Sequence, residues 1–103
     1  MVKARVRLGS QVTAFIAKLA PQPKRALRDA LRGIAEGKSD IRLLEGKLSG
    51  FYRVRSGRIR VIYQERAVRG ERQIWCFYAD YRTSVYDVFE QLLTAELLEQ
   101  LSD

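Results

Sequence analysis

The sequence predicts an α+β domain with the element order β-α-α-β-β-β-α: a twisted antiparallel sheet, a helical hairpin on one face and a C-terminal helix. Three patterns carry that prediction. Val2 to Leu8 alternates apolar and basic residues, the period of a half-buried strand. Residues 12–34 repeat apolar side chains at spacings of three and four, the period of helices with one buried face. Residues 52–79 then return to strand-like segments separated by short glycine-containing turns. At 103 residues and 47% hydrophobic content, the chain reads as one domain, 1–103, with a modest core.

Taken in order, the first strand has Val2, Ala4, Val6 and Leu8 on one side and Lys3, Arg5 and Arg7 on the other. Gly9 breaks it, and Ser10 is placed to cap the next helix. Val12, Phe15, Ile16 and Leu19 form that helix's apolar face; Pro21 and Pro23 are expected to end it in a short turn. A second helix, about 24–36, buries Leu27, Ala30, Leu31 and Ile34, and Gly37 suits its C-terminal stop. Residues 38–50 lack periodicity and read as a loop, with Leu43, Leu44 and Leu48 tucked against the core. A hairpin follows, with Tyr52 and Val54, then Ile59, Val61 and Tyr63, as its apolar side. Residues 67–71 read as a polar turn. Gln73 to Ala79 is apolar on both faces, as in a strand covered on each side, and completes a three-stranded meander. Ser84 and Asp87 fit a helix-starting capping box. Val85, Val88, Phe89, Leu92 and Leu93, then Leu97, Leu98 and Leu101, form a C-terminal apolar stripe. Repeats, low-complexity tracts and linkers are absent from the sequence.

Composition narrows the function classes. The chain has no histidine and one cysteine, Cys76, so histidine-based metal sites, histidine general bases and an internal disulfide are excluded. No metal or other cofactor is expected. Cys76 lies in an apolar run and reads as a small core residue. No run of the sequence is long enough to span a membrane, and the N-terminus lacks a signal-peptide core. With the lone cysteine, this fits a cytoplasmic protein. The 19 lysines and arginines outnumber 12 acids, for a net charge of +7. From Ser84 onward there is no lysine or arginine, whereas Asp87, Glu90, Glu96, Glu99 and Asp103 are acidic. The positive charge is therefore concentrated in the first 83 residues, which points to a polyanion such as nucleic acid, or to an acidic protein partner.

The densest feature is the arginine hairpin. Arg53 and Arg55 share a face of its first strand, and Arg58 and Arg60 share a face of the second. Ser56-Gly57 between them suits a tight turn. If the pairing brings both sets to one side, the guanidinium groups converge on a patch suited to an anion. The competing reading is a solvated outer face.

These residues also carry a resemblance. Leu44-Glu45-Gly46, Tyr52-Arg53-Val54-Arg55, Gly57, Arg60-Val61-Ile62-Tyr63 and Arg82-Thr83-Ser84-Val85-Tyr86, in that order, resemble the RelE/ParE superfamily of toxins from type II toxin–antitoxin systems. The likeness covers nearly the whole chain and includes the element order. It implies the small RelE-like fold, a bacterial or archaeal source and one of two activities. RelE-like members are metal-independent endoribonucleases that cut messenger RNA, commonly on the ribosome, and so inhibit translation. ParE-like members inhibit DNA gyrase without being enzymes. A degenerate module that binds antitoxin alone is a third alternative.

By the resemblance, Arg53, Arg55, Arg60, Arg82 and Tyr86 match the catalytic set of the ribonuclease branch. Lys47, Arg58 and Tyr81 are candidates for RNA contact. The resemblance further implies a cognate antitoxin, acidic or amphipathic, wrapping the basic face, and operator DNA reached through that antitoxin. One departure stands out. The best-known ribonuclease site has lysines where this chain has Arg53 and Arg55, and arginine stays protonated in proteins, so it cannot serve as a base. The proton acceptor is therefore left open among Tyr86, Tyr81, Glu45 and Lys47.

Overall fold

The computed structural model describes residues 4–81 and 85–93. Five strands form a single sheet: β1 (Ala4–Leu8), β2 (Asp40–Leu43), β3 (Tyr52–Ser56), β4 (Ile59–Val68) and β5 (Glu71–Asp80), in the spatial order β1-β5-β4-β3-β2. Strands β2 to β5 pair antiparallel, and β1 runs parallel to β5 at the sheet edge. That parallel pairing requires a crossover. The helices α1 (Ser10–Ala17) and α2 (Pro21–Glu36) supply part of it and cover one face of the sheet.

The main core lies between that helical hairpin and the sheet. Val12 and Ile16 from α1 and Leu27, Leu31 and Ile34 from α2 meet Val54, Val61, Tyr63, Ile74 and Cys76 from the strands. Burial of such side chains drives the packing at ~25 cal/mol per Å² of apolar surface. A second, smaller core occupies the opposite face. There α3 (Val85–Leu92) lays Val85 and Phe89 over Ile62, with Leu44, Leu48 and Phe51 closing the side. Phe51 and Phe89 meet edge to face at 5.2 Å between ring centroids, a favoured aromatic geometry.

The predicted class holds and the order matches roughly, with two corrections beyond the boundaries: a strand is added before the hairpin, and the sheet is mixed rather than antiparallel because β1 returns to β5 through the helical crossover. Part of the stretch read as a loop is strand: β2 pairs with β3 through Ile41 opposite Val54 and Arg42 opposite Arg53. At four residues with one clear apolar position inward, it is too short to show a period. Leu44 and Leu48 are buried as expected, but Leu43 is 58% exposed. Pro21 and Pro23 open α2 rather than closing α1, because the first turn of a helix has free N–H groups that proline does not need to supply. Gly9, not Ser10, occupies the N-cap of α1, with no side-chain cap. Gly37 ends α2 at φ 69° as expected, and the Lys38 N–H donates back to the Gly33 carbonyl at 3.0 Å. The turn read at 67–71 shrinks to two residues, Arg69 and Gly70, both at positive φ (53° and 78°). Ser84 of the capping box and the leucines at 97, 98 and 101 lie outside the described residues.

Two features set the end of β5, where the sheet meets the arginine hairpin. Strand β1 stops at Leu8, but Gln11 continues its role. The Gln11 amide donates to the Ala79 carbonyl and accepts from the Ala79 N–H, both at 2.8 Å. The second feature is a bulge. Ile62 pairs with Tyr78 but the next residue, Tyr63, pairs with Cys76, so Phe77 is the extra residue on β5. A bulge reverses the side-chain alternation along the strand. Ile74 and Cys76 point to the helical hairpin, yet Tyr78 and Asp80 share the opposite face with Trp75 and Phe77.

Gln11→Ala is expected to destabilise the protein by roughly 2 kcal/mol, because the backbone N–H and carbonyl of buried Ala79 lose their partners; urea denaturation measures it. Arg69→Asn is expected to stabilise by about 0.5–1 kcal/mol, since Asn-Gly suits a two-residue turn with positive φ at both positions and a long side chain does not. A thermal melt of the two proteins side by side reads that gain.

Candidate anion-binding site

The hairpin register decides which arginines meet. Tyr52 lies opposite Tyr63 and Val54 opposite Val61, all turned toward the main core, and the two tyrosine rings stack at 5.3 Å. The alternate residues therefore share the other face: Arg53 opposite Ile62 and Arg55 opposite Arg60. The turn consists of Gly57, at φ 60°, and Arg58, between the paired Ser56 and Ile59. Arg58 is thus a turn residue rather than a strand partner of Arg60. Three arginines of the hairpin share the face, not four.

Neighbouring strands extend this arrangement. Asp40 pairs with Arg55, Arg55 with Arg60, and Arg60 with Asp80. Four adjacent strands thus carry a row of charges on one face in the order negative, positive, positive, negative. Like charges directly opposite one another repel, and each guanidinium is held by a different device. Asp40 approaches Arg55 Nε at 3.1 Å and Arg53 Nη1 at 3.6 Å. Arg60 Nη1 donates to the Tyr81 carbonyl at 3.0 Å and to the Arg58 carbonyl at 3.4 Å. Among the described residues, Arg60 has no carboxylate partner.

Arg53 sits one row further in, beside Ile62 and the second core, and is only 8% exposed. Among the described residues, its Nε is buried without a hydrogen-bond partner and its carboxylate contact is Asp40. Asp80 is half-buried, and its Oδ1 accepts the Tyr81 N–H at 2.6 Å. The Tyr81 backbone therefore holds both members of the Arg60–Asp80 pair, one through its carbonyl and one through its amide.

The remaining candidates lie in different places. Tyr81 is 47% exposed, with its ring 5.1 Å from that of Phe15 on α1. Tyr86, half-buried on α3, packs against the second core. Lys47 stands in a 3-10 turn (Gly46–Leu48) and pairs with Glu90 of α3 at 3.4 Å. Glu45 precedes that turn and is exposed. Arg82 lies outside the described residues. Cys76 is buried against the helical hairpin, and burial pushes its thiol up to about 12, which leaves it protonated near neutral pH.

Sequence reasoning missed Asp40 and Asp80. Asp40 fell in the supposed loop, and Asp80 reaches the arginine face only through the bulge. It also missed a second basic cluster on the same face. Trp75 lies between the guanidinium groups of Arg7 and Arg66, at 4.9 and 4.3 Å from the ring centroid, and donates to Gln73 at 2.8 Å. Those arginines come from the two strands that flank β5, so the contact ties three strands together by cation–π attraction. The register places Ile62 and Tyr78, the residues α3 covers, between this cluster and the charge row.

No family model and no curated protein matches the sequence, but solved structures match the fold. A toxin–antitoxin complex, RelBE2 from Mycobacterium tuberculosis, superposes with a TM-score of 0.65 at 23% identity, over 80% of this chain and 94% of that one. A YoeB/ParE toxin from Agrobacterium tumefaciens gives 0.61 at 12% identity, over 76% and 98%. An archaeal RelE–RelB complex from Pyrococcus horikoshii gives 0.57 at 28% identity, over 78% and 96%.

Asp40→Asn is expected to lower stability by roughly 1–2 kcal/mol, because nearly buried Arg53 loses its counter-charge while the half-exposed carboxylate was partly screened. The double variant Asp40→Asn/Arg53→Met is expected to recover part of that loss, since it removes the buried charge as well. Urea titrations of the three proteins check both statements.

Proposed function

We propose that this chain, a RelE/ParE-type toxin by its fold and its sequence pattern, is the toxin of a toxin–antitoxin pair and acts as a metal-independent endoribonuclease on messenger RNA. The observation that carries the reading is the arginine row, above all Arg60, whose guanidinium has carbonyl partners and no carboxylate among the described residues. Cleavage of RNA without a metal needs positive groups at the scissile phosphate, a base for the 2′-hydroxyl and an acid for the leaving 5′-oxygen. A guanidinium offers a planar fork of donors to a phosphate. Fixed in advance by two backbone carbonyls, Arg60 needs little reorganisation to receive one. Arg55 and Arg53 add positive charge beside it, moderated by Asp40.

An antitoxin partner accords with the solved neighbours, two of which are toxin–antitoxin complexes. The basic surface calls for an acidic or amphipathic segment, and operator DNA would be reached through that partner. The ribosome is the expected setting for cleavage, and the cytoplasm the expected compartment. Among the described residues, no helix is long and apolar enough to cross a membrane. A gyrase-directed, ParE-like activity is the rival, favoured by the absence of lysine at positions 53 and 55.

Induced expression of the wild type is expected to produce cuts in cellular messenger RNA by primer extension, and Arg60→Ala to reduce them by about 10²–10³-fold. Growth arrest with intact messages and lost DNA supercoiling would transfer the reading to gyrase.

A further inference from the structure

We infer that the carboxylate of Asp80 is the proton acceptor for the ribose 2′-hydroxyl, an assignment that rests on the ribonuclease reading. The group required must be unprotonated near neutral pH, must stand beside the phosphate-binding guanidinium, and must have a free lone pair. The chain has no histidine, and its arginines do not act as bases.

The geometry removes the alternatives one by one. Asp40 is engaged by two guanidinium groups, at 3.1 and 3.6 Å. Lys47 is paired with Glu90, and Glu45 lies beside the same 3-10 turn, on no strand of the charge row. The Tyr81 ring packs against Phe15 of the helical hairpin, and Tyr86 packs into the second core. Tyr63 is fully buried, and burial raises its phenol well above the usual range.

Asp80 stands beside the phosphate-binding guanidinium and keeps a lone pair free. It is the cross-strand partner of Arg60, and directly opposed residues have Cβ atoms roughly 4.5–5.5 Å apart. That spacing lets one side chain hold a phosphate while the other reaches the hydroxyl of the adjoining ribose. Oδ1 is fixed by the Tyr81 N–H at 2.6 Å, which leaves Oδ2 to take a proton. Among the described residues, Asp80 has no cationic partner within ion-pair distance. The peptide units around it are held as well: Gln11 clamps Ala79 on one side, and the Tyr81 carbonyl accepts from Arg60 on the other. A base fixed in this way loses little time in unproductive orientations.

In the step assigned, the 2′-hydroxyl proton passes to Asp80 as the 2′-oxygen forms a bond to phosphorus. The bond from phosphorus to the 5′-oxygen breaks, and that oxygen takes a proton from water. The products are a 2′,3′-cyclic phosphate and a 5′-hydroxyl end. Arg60 carries the extra negative charge on the phosphorane oxygens.

The test uses the full chain on a mixed-sequence single-stranded RNA and on programmed ribosomes. Asp80→Asn keeps the acceptor for the Tyr81 N–H, and is expected to lower the cleavage rate by about 10²–10⁴-fold with RNA affinity unchanged or tighter. Asp80→Ala is expected to regain cleavage as formate is added, because a free carboxylate takes the vacated place. Cleavage by Asp80→Asn within about threefold of wild type would overturn the assignment, on the scale general-base catalysis sets. Loss in both variants with no response to formate would overturn it too, leaving Asp80 a positioning residue for Arg60. A wild type that cuts neither RNA substrate would instead sink the ribonuclease reading itself.

Discussion

The direct opposition of Arg55 and Arg60 across the β3–β4 hairpin is the constraint around which this face of the protein is arranged. Two cations in register on adjacent strands work against the pairing that unites them. The pairing survives because the other face of the same hairpin is deeply buried. Val54, Val61 and Tyr63 are at most 1% exposed, and slipping the register by one residue would turn them out to water. Hydrophobic burial on one side thus enforces charge proximity on the other. The cationic character of the surface is a consequence of the core.

Each cation is then restrained by a neighbour that leaves some of its capacity unspent. Arg55 and Arg53 share one carboxylate, that of Asp40, which β2 brings to the sheet. Arg60 is held by uncharged carbonyl groups. The row therefore combines neutralised and unneutralised positive charge within a few ångströms, a division that suits orienting a phosphodiester as well as attracting one. Sharing a carboxylate also explains how a nearly buried arginine with an unpartnered Nε is tolerated: a buried charge without any counter-ion would cost several kcal/mol.

The bulge at Phe77 links the two faces. It keeps Ile74 and Cys76 in the main core while turning Tyr78 and Asp80 toward the arginine side. It also lets one strand give Ile74, Cys76 and Ala79 to one core and Phe77 and Tyr78 to the other, which is why residues 74–79 are apolar on both faces. The helical hairpin, the parallel edge strand and the Gln11 clamp secure the end of that strand from behind. The chemistry proposed for Arg60 and Asp80 therefore depends on packing at some distance from either side chain.

The class, the rough order of the main elements and the arginine hairpin are legible in the amino-acid sequence alone. Periodicity is a local property, and residues such as Leu27, Leu31 and Ile34, or Val54 and Val61, announce their buried face within a few positions. The sequence also carries the family resemblance, which the shared fold supports. Three features depend on contacts between distant segments and have no local signature. A four-residue edge strand has too few residues to show a period, so the sequence reads Asp40 as part of a loop. Proline marks both the end of one helix and the first turn of the next, and only packing distinguishes them. Alternation along β5 predicts the wrong face for Asp80, because a bulge depends on the partner strand, and nothing in residues 71–80 alone records where that partner's register shifts.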